Sequence, residues 1–516
     1  MDSSLISIAA ALAATAFLLL PFLCNLFFNK DSRRKPPEAG GAWPIIGHLH
    51  LLASPQATFK ILTDMAKKYG PIFRIRLGPH PVLVVSDSRI AKECFTTNDK
   101  ALASRPKSLP VEVMGYNYAN FGFAPYGPYW RDVRKVVMLE LLSKRRMEML
   151  GRVRVSGVKT FMGNIYGSWK SDKSEDNVIM LDMKEWFPKL VMDIMIKMLF
   201  GLSYHDGGSQ ASETISRFFE LMDVTPVGEY VPWLRWLDIG GHEKAIRETA
   251  KDMDGVMEAW LQEHKRKRSS KPKEEEDFMD ALLSHFDGDN KDNIPKDFDP
   301  DTIVKATCMA VLGAATDTTA LTLTWTLSLI LNNPGTLEKI RGELDLHVGK
   351  ERQVEESDIN NLTYLQALVK ETLRLYPPGP LLLPHESIED CTVDGYYVAK
   401  GTRLLVNVSM IHRDPEFWSD PDTFRPERFL AEHKEVDVRG NHFNLIPFGG
   451  GRRICPGISL GLQSVQLALA SLVHGFDVKK ISEKPIDMTE APGLSNVKAT
   501  PLKVFLSPRL PSHLYA

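Results

Sequence analysis

Phe448-Gly449-Gly450-Gly451-Arg452-Arg453-Ile454-Cys455-Pro456-Gly457 decides how the rest of the chain is read. One cysteine sits in a glycine-dense loop, with two arginines shortly before it and a Pro-Gly step directly after it. An apolar stretch of helical character, Ile458 to Phe476, follows. Glycines let the backbone turn tightly and approach a flat ligand with no side chain in the way. Backbone N–H groups can converge on the sulfur, and Cys455 lies just ahead of a helix start, where the positive end of the dipole favours an anion. Such a setting is expected to lower the thiol pKa and favour the thiolate. A thiolate in this position suits the single protein bond to haem iron. The same stretch also reads as a small buried cysteine beside an ordinary turn, so the rest of the chain has to decide.

The sequence of 516 residues is 43% hydrophobic and 25% charged, ordinary globular composition with material for a large core. No strong internal linker or repeat divides it. One large domain over residues 48–516 is expected, behind an anchor and a connector. A net charge of -2 gives no reason to expect a nucleic-acid partner. The cysteines, Cys24, Cys94, Cys308, Cys391 and Cys455, are odd in number and far apart. That pattern argues against a disulfide framework or a zinc site and fits a reducing compartment.

Leu5–Phe28 is almost wholly apolar, and about 20 residues suffice to cross a bilayer as a helix. Lys30, Arg33, Arg34 and Lys35 follow, while only Asp2 precedes. The positive-inside rule then predicts an anchor over 5–28 with everything after Lys30 in the cytosol. A cleaved signal peptide would need positive charge before the run and a small-residue cleavage site after it, and neither is present. Residues 29–47 are basic and then proline-rich, a stiff connector. Ile72–Leu77 and Val82–Val85 read as strands with hairpin punctuation between them.

Arg105–Gly127 reads as a long loop of the kind that carries function. Trp130 and Arg134 fall on one face of a helix, where an indole N–H and a guanidinium can grip a carboxylate; a solvent-facing arginine beside a core tryptophan fits the same spacing. Met147–Glu263 reads as amphipathic helices interrupted at Pro226, Pro232 and Gly240-Gly241. Lys265–Arg268 and Lys273–Asp277 are solvated charge runs.

Pro300–Asn332 is the strongest helical segment, capped by Asp301 or Thr302 and stopped at Asn332-Asn333-Pro334. At 1.5 Å per residue it would span roughly 45 Å. Gly313-Ala314-Ala315-Thr316-Asp317-Thr318-Thr319 puts four polar residues in a row inside it, which demands an explanation in a buried helix. Thr318 is expected to bond the Ala314 carbonyl and open a notch, with Asp317 able to pass protons into it. A small-residue helix crossing with incidental threonines is the alternative. Glu371 and Arg374 form an i, i+3 pair, alone worth well under ~1 kcal/mol at a surface. Arg428, in a proline-bounded loop, could close a three-way network with them that holds the Cys455 loop in register. Pro380–Pro384, then His385, forms an extended strip, and Met410 to Trp418 reads as a strand leaving into a turn.

Trp-x-x-x-Arg, small-x-Asp-Thr, Glu-x-x-Arg and Phe-x-x-Gly-x-Arg-x-Cys-x-Gly now stand in one order along the whole chain. Together with the apolar N-terminal run and proline hinge, this closely resembles a plant microsomal cytochrome P450. Tyr376-Pro377-Pro378-Gly379-Pro380 and Pro447–Arg453 resemble the plant family 82 of specialised-metabolism oxidases. The resemblance implies a mainly α fold with small β-sheets. It implies haem b with Cys455, in the loop opened by Phe448, as the axial iron ligand. Arg453, Trp130, Arg134 and His385 would hold the propionates. Thr318 and Asp317 would serve dioxygen activation and proton delivery. Glu371, Arg374 and Arg428 would be structural. Substrate contacts would come from residues 105–127, 226–240, 309–314, 381–383 and 493–495. The activity implied is hydroxylation, or O- or N-demethylation, of an apolar metabolite such as a flavonoid, alkaloid or terpenoid. Electrons from NADPH would arrive through a reductase in the endoplasmic reticulum membrane. A reductase-independent isomerase or dehydratase, or a non-catalytic haem-binding protein, would not need the retained Asp317-Thr318 pair. Two positions depart from the family pattern: Ala315 stands for a common glycine, and His385 for a common arginine whose charge histidine would carry only at some pH values.

Overall fold

The computed structural model describes residues 33–202, 208–222, 224, 226–267, 276–286 and 298–515. The expected anchor over 5–28, Arg268 and residues 273–275 lie outside the described residues. Six helices matter most here: α1 Pro128–Glu140, α2 Met183–Phe200, α3 His242–Lys267, α4 Pro300–Asn332, α5 Thr363–Leu375 and α6 Ile458–Gly475. The strands are short: β1 Ile72–Leu77, β2 His80–Val85, β3 Ile179–Asp182, β4 His385–Glu386, β5 Cys391–Val393, β6 Tyr396–Val398, β7 Arg403–Val406, β8 Phe476–Lys480 and β9 Lys503–Pro508. They form one sheet in the order β1-β2-β7-β4, a second in the order β3-β9-β8, and the pair β5-β6. The architecture is mainly helical with small sheets.

α4 packs against α2, α5 and α6 and runs through the largest hydrophobic core. Its cap is Asp299, not Asp301 or Thr302, because the Asp299 carboxylate accepts the Thr302 N–H at 3.0 Å. Trp325 anchors its later half, stacking on Tyr376 and donating to the Asn496 carbonyl at 2.7 Å. α4 and α6 are long and apolar enough to cross a bilayer, but both are mostly buried in this core.

β2 pairs antiparallel with β1 and parallel with β7, with Val82 opposite Arg403 and Val85 opposite Val406. The second hairpin strand starts at His80, two residues earlier than its pattern suggested, because Pro81 still pairs with Arg76 at the edge. The stretch from Met410 is not a strand. Asn407 accepts the Met410 N–H and starts a helical turn, Val408–Ile411, which ends the sheet. The 147–263 region is mainly helical; Pro226 caps one short helix, Pro232 opens a 3-10 turn, and Gly240 lies between that turn and α3. Within it, β3 pairs with the distant β9, a contact that local patterning does not reveal.

Candidate active site

The Cys455 loop is closed on itself and clamped from outside. The Cys455 N–H donates to the Phe448 carbonyl at 3.0 Å. Gly451 has φ +63°, and a Cβ there would meet Asp99 Oδ1 at 2.3 Å and the Phe95 carbonyl at 2.8 Å. Glycine is therefore required by conformation and by space. Asp99 uses that closeness: it accepts the Arg452 N–H at 2.9 Å and pairs with the Arg452 guanidinium at 3.0 Å. Phe448 is half-buried against the main core.

Cys455 stands two residues before Gly457, which caps α6. Burial pushes its thiol pKa up, while the Gly457 N–H and the Arg134 charge act the other way without overcoming it. The expectation of a depressed thiol pKa is corrected here: desolvation of the charged form outweighs one N–H and one guanidinium. A directly bonded metal cation deprotonates such a thiol outright.

Above the loop lies a cluster of cations. Arg453 stacks on Trp130, 4.2 Å from the ring centroid, and donates to the carbonyls of Ala103 and Ala124 at 2.7 and 2.5 Å. Arg134 sits 5.6 Å from the same ring and donates to the Ile454 carbonyl at 2.7 Å, so it is not a solvent-facing arginine. Arg105 joins them, donating to the carbonyls of Leu383 and Pro384, each at 2.8 Å. Among the described residues, no carboxylate pairs with any of the three. Burial lowers the pKa of all three, and their mutual repulsion adds to it for Arg453 and Arg105. A buried cationic cluster without an anion is unfavourable alone and becomes favourable when a carboxylate-bearing ligand enters.

His385 reaches the same cluster as a neutral ring. Burial first, then Arg105 and Arg453, hold its pKa well below the usual value. Its Nδ1 donates to the Leu102 carbonyl at 2.7 Å, which leaves Nε2 as an acceptor. The expected pH-dependent charge is thus suppressed by burial, and donation to an anion needs a second proton.

Along α4, only Ala314, Asp317 and Thr318 are exposed, while Ala310, Gly313 and Leu321 are half-buried. Spacing of three and four makes these one stripe, an opening on a helix that is otherwise buried over its middle. Thr318 Oγ1 donates to the Ala314 carbonyl at 2.6 Å. That bond does not single it out, because Thr316, Thr322, Thr324, Thr326 and Ser328 make the same bond to their own i−4 carbonyls. Exposure does, since Thr316 and Thr319 are buried. Ala315 packs against the core at the edge of the stripe, so its methyl flanks the opening.

Glu371, Arg374 and Arg428 are all 0% exposed. Arg374 donates to both carboxylate oxygens of Glu371 at 2.7 and 2.9 Å, and Arg428 Nε to Oε1 at 3.1 Å. Both guanidinium groups also donate to backbone carbonyls of residues 412–423. The network is a core device, not the surface pair its spacing alone suggested.

A loop thiol, three arginines with no carboxylate partner among the described residues, two of them over one indole, and a small-residue notch on α4 form a donor set that fits haem, with its soft-ligand iron and two carboxylates. The cytochrome P450 family model matches residues 36–505. The chain belongs to the cytochrome P450 family. This P450 is 48% identical to strychnine-10-hydroxylase of Strychnos nux-vomica over 100% of both chains. It is 48% identical to cytochrome P450 82A4 of Glycine max over 97% of this chain and 96% of the other. Its fold matches a zebrafish cytochrome P450 solved with progesterone, at TM-score 0.74 and 26% identity, covering 87% and 99% of the two chains. Family membership makes it a haem-thiolate monooxygenase of the plant family 82 type. Arg105 is the site residue that sequence reading placed elsewhere, in a substrate loop. A single arginine has no spacing partner, so no local signal tied it to the cluster.

Proposed function

We propose that this P450 hydroxylates, or O- or N-demethylates, an apolar plant specialised metabolite, with electrons from NADPH passed through a reductase. The observation that carries the reading is the clamped Cys455 loop tied through Ile454 to a cluster of arginines that no carboxylate neutralises among the described residues, together with the exposed stripe on the otherwise buried α4. Haem bound there would supply dioxygen activation and transfer of one oxygen atom to the substrate. Cys455 would hold the iron. Arg105, Arg134 and Arg453, with Trp130 between two of them, would neutralise the carboxylates and fix the ring plane. His385 would accept a proton as the anion arrives, since a nearby negative charge favours the imidazolium. Asp317 and Thr318 would hold and pass protons at the open stripe, Thr318 through its hydroxyl while that oxygen is released from Ala314. Glu371, Arg374 and Arg428 would keep the loops under Cys455 in place.

The relative named strychnine-10-hydroxylase supports an alkaloid-sized substrate, and a flavonoid or terpenoid is compatible with the same chemistry. An anchor at 5–28 would hold the domain on the endoplasmic reticulum membrane. Exposed Trp233, Trp236, Leu237 and Ile239 support this, as do Trp43 and Ile45. The two segments meet at one turn: Gly78 donates to the Ile46 carbonyl, and a Cβ on it would strike the Tyr230 backbone. Tryptophan favours the membrane interface.

Turnover of flavonoid, alkaloid and terpenoid panels by membranes carrying the protein tests the reading. Product is expected only with NADPH and reductase together. Product formed without either would overturn it.

A further inference from the structure

His412 is fully buried between the end of α5 and the approach to the Cys455 loop. Its Nδ1 lies 3.2 Å from the Arg374 carbonyl oxygen and its Nε2 3.0 Å from the Ile446 backbone nitrogen. A carbonyl accepts and a backbone N–H donates, so only the neutral ring with its proton on Nδ1 makes both bonds. Burial first, then the Arg374 charge, takes its pKa down to about 3, which preserves that form. Arg374 also grips the residue's backbone, donating to the His412 carbonyl at 2.9 Å.

The path continues toward the sulfur. The Ile446 carbonyl accepts the Gly449 N–H at 3.0 Å, and the neighbouring Phe448 carbonyl accepts the Cys455 N–H at 3.0 Å. Among the described residues, the side-chain hydrogen bonds of Glu371, Arg374 and Arg428 reach one another and the backbone of residues 412–425, not residues 446–457. We infer that His412 is the positioning residue that transmits the register of the Glu371–Arg374–Arg428 network to the Cys455 loop. The inference deepens the haem-thiolate reading and rests on it. Without the imidazole, the loop loses its tie at Ile446 while the charged network stays whole. Cys455 would then be held less firmly, and ligation of bound haem would be expected to lapse from thiolate to thiol.

Two substitutions separate positioning from simple filling of space. In His412→Asn the amide sits near the Nδ1 position, serving the Arg374 carbonyl but leaving the Ile446 N–H without a partner. In His412→Gln the amide oxygen extends to the Nε2 position and accepts that N–H. Three readouts are taken on the full chain: haem content, far-ultraviolet circular dichroism, and the ratio of thiolate- to thiol-ligated carbon-monoxide complex after reduction. Both variants are expected to keep their haem and helix content. Leaving one buried N–H unpaired should lower the thiolate ratio about tenfold in His412→Asn, with His412→Gln within about twofold of wild type. Equal ratios in wild type and His412→Asn would overturn the inference, as would loss of haem and helix signal in step in both variants. A wild type with no thiolate-ligated complex would overturn the haem-thiolate reading itself, and this inference with it.

Discussion

Glu371→Gln replaces a carboxylate by a group of the same shape and removes one charge. In the structure that carboxylate accepts three guanidinium hydrogen bonds and the Arg425 N–H at 2.9 Å. Arg374 and Arg428 are then left facing each other with no anion, both at 0% exposure. Breaking a buried pair in this way costs about 3–5 kcal/mol, whereas an exposed pair is worth about 0–1 kcal/mol. Against a whole-protein stability of about 5–15 kcal/mol, the buried figure is a large share. The assay is urea unfolding of the haem-loaded protein, followed by circular dichroism and by haem absorbance, with the slope compared with wild type. The expected result is a loss of about 3–5 kcal/mol and early release of haem. A loss under about 1 kcal/mol at unchanged slope would refute the reasoning, because it is the value for a solvated pair. Adding Arg428→Leu should cost less than it does alone, since the charge it removes is already unpaired.

Three further outcomes follow from the same geometry. Thr318→Ala should leave the carbon-monoxide spectrum intact while product per NADPH falls roughly tenfold or more, the electrons appearing as hydrogen peroxide. Arg105→Leu removes one of the three clustered cations proposed to meet the haem carboxylates; haem dissociation, followed by transfer to an apomyoglobin acceptor, should quicken about tenfold or more. His264 donates through both ring nitrogens, to Trp260 at 2.7 Å and Asp277 at 3.0 Å. Burial acts against its charge, but the Asp277 bond and charge outweigh that and raise the pKa. Its contribution is therefore complete below about 6.5, the unfolded value, and is lost as pH rises through the higher folded value. Amide exchange in the last turns of α3 should quicken across that window in wild type and stay flat in His264→Gln.

Much of the fold was legible because its strongest elements carry local signals. α4 announced itself by length, apolarity and a proline stop, and the first hairpin by two β-branched runs around Gly78-Pro79. The thiol loop was legible because Gly451 and its neighbours are forced by contacts with Phe95 and Asp99. Other features depend on which distant segments meet. Nothing near Glu371 says that it is buried, and nothing near Arg105 says that Arg134 and Arg453 lie beside it. The cap at Asp299 and the turn at Asn407 were missed because short polar side chains choose among neighbouring N–H groups by geometry that spacing leaves open. The Cys455 thiol shows the limit most clearly. Loop chemistry argued for an anion, and burial, a property of the whole fold, reverses the balance until a metal is bound.

The central claim is that Cys455 bonds to haem iron as a thiolate, and its most direct measurement is the absorption spectrum of the reduced protein under carbon monoxide. The wild type should show the band of a thiolate-ligated complex, and Cys455→Ser should lose it while keeping its helical circular dichroism. A wild type lacking that band, or a Cys455→Ser protein that retains it, would contradict the account.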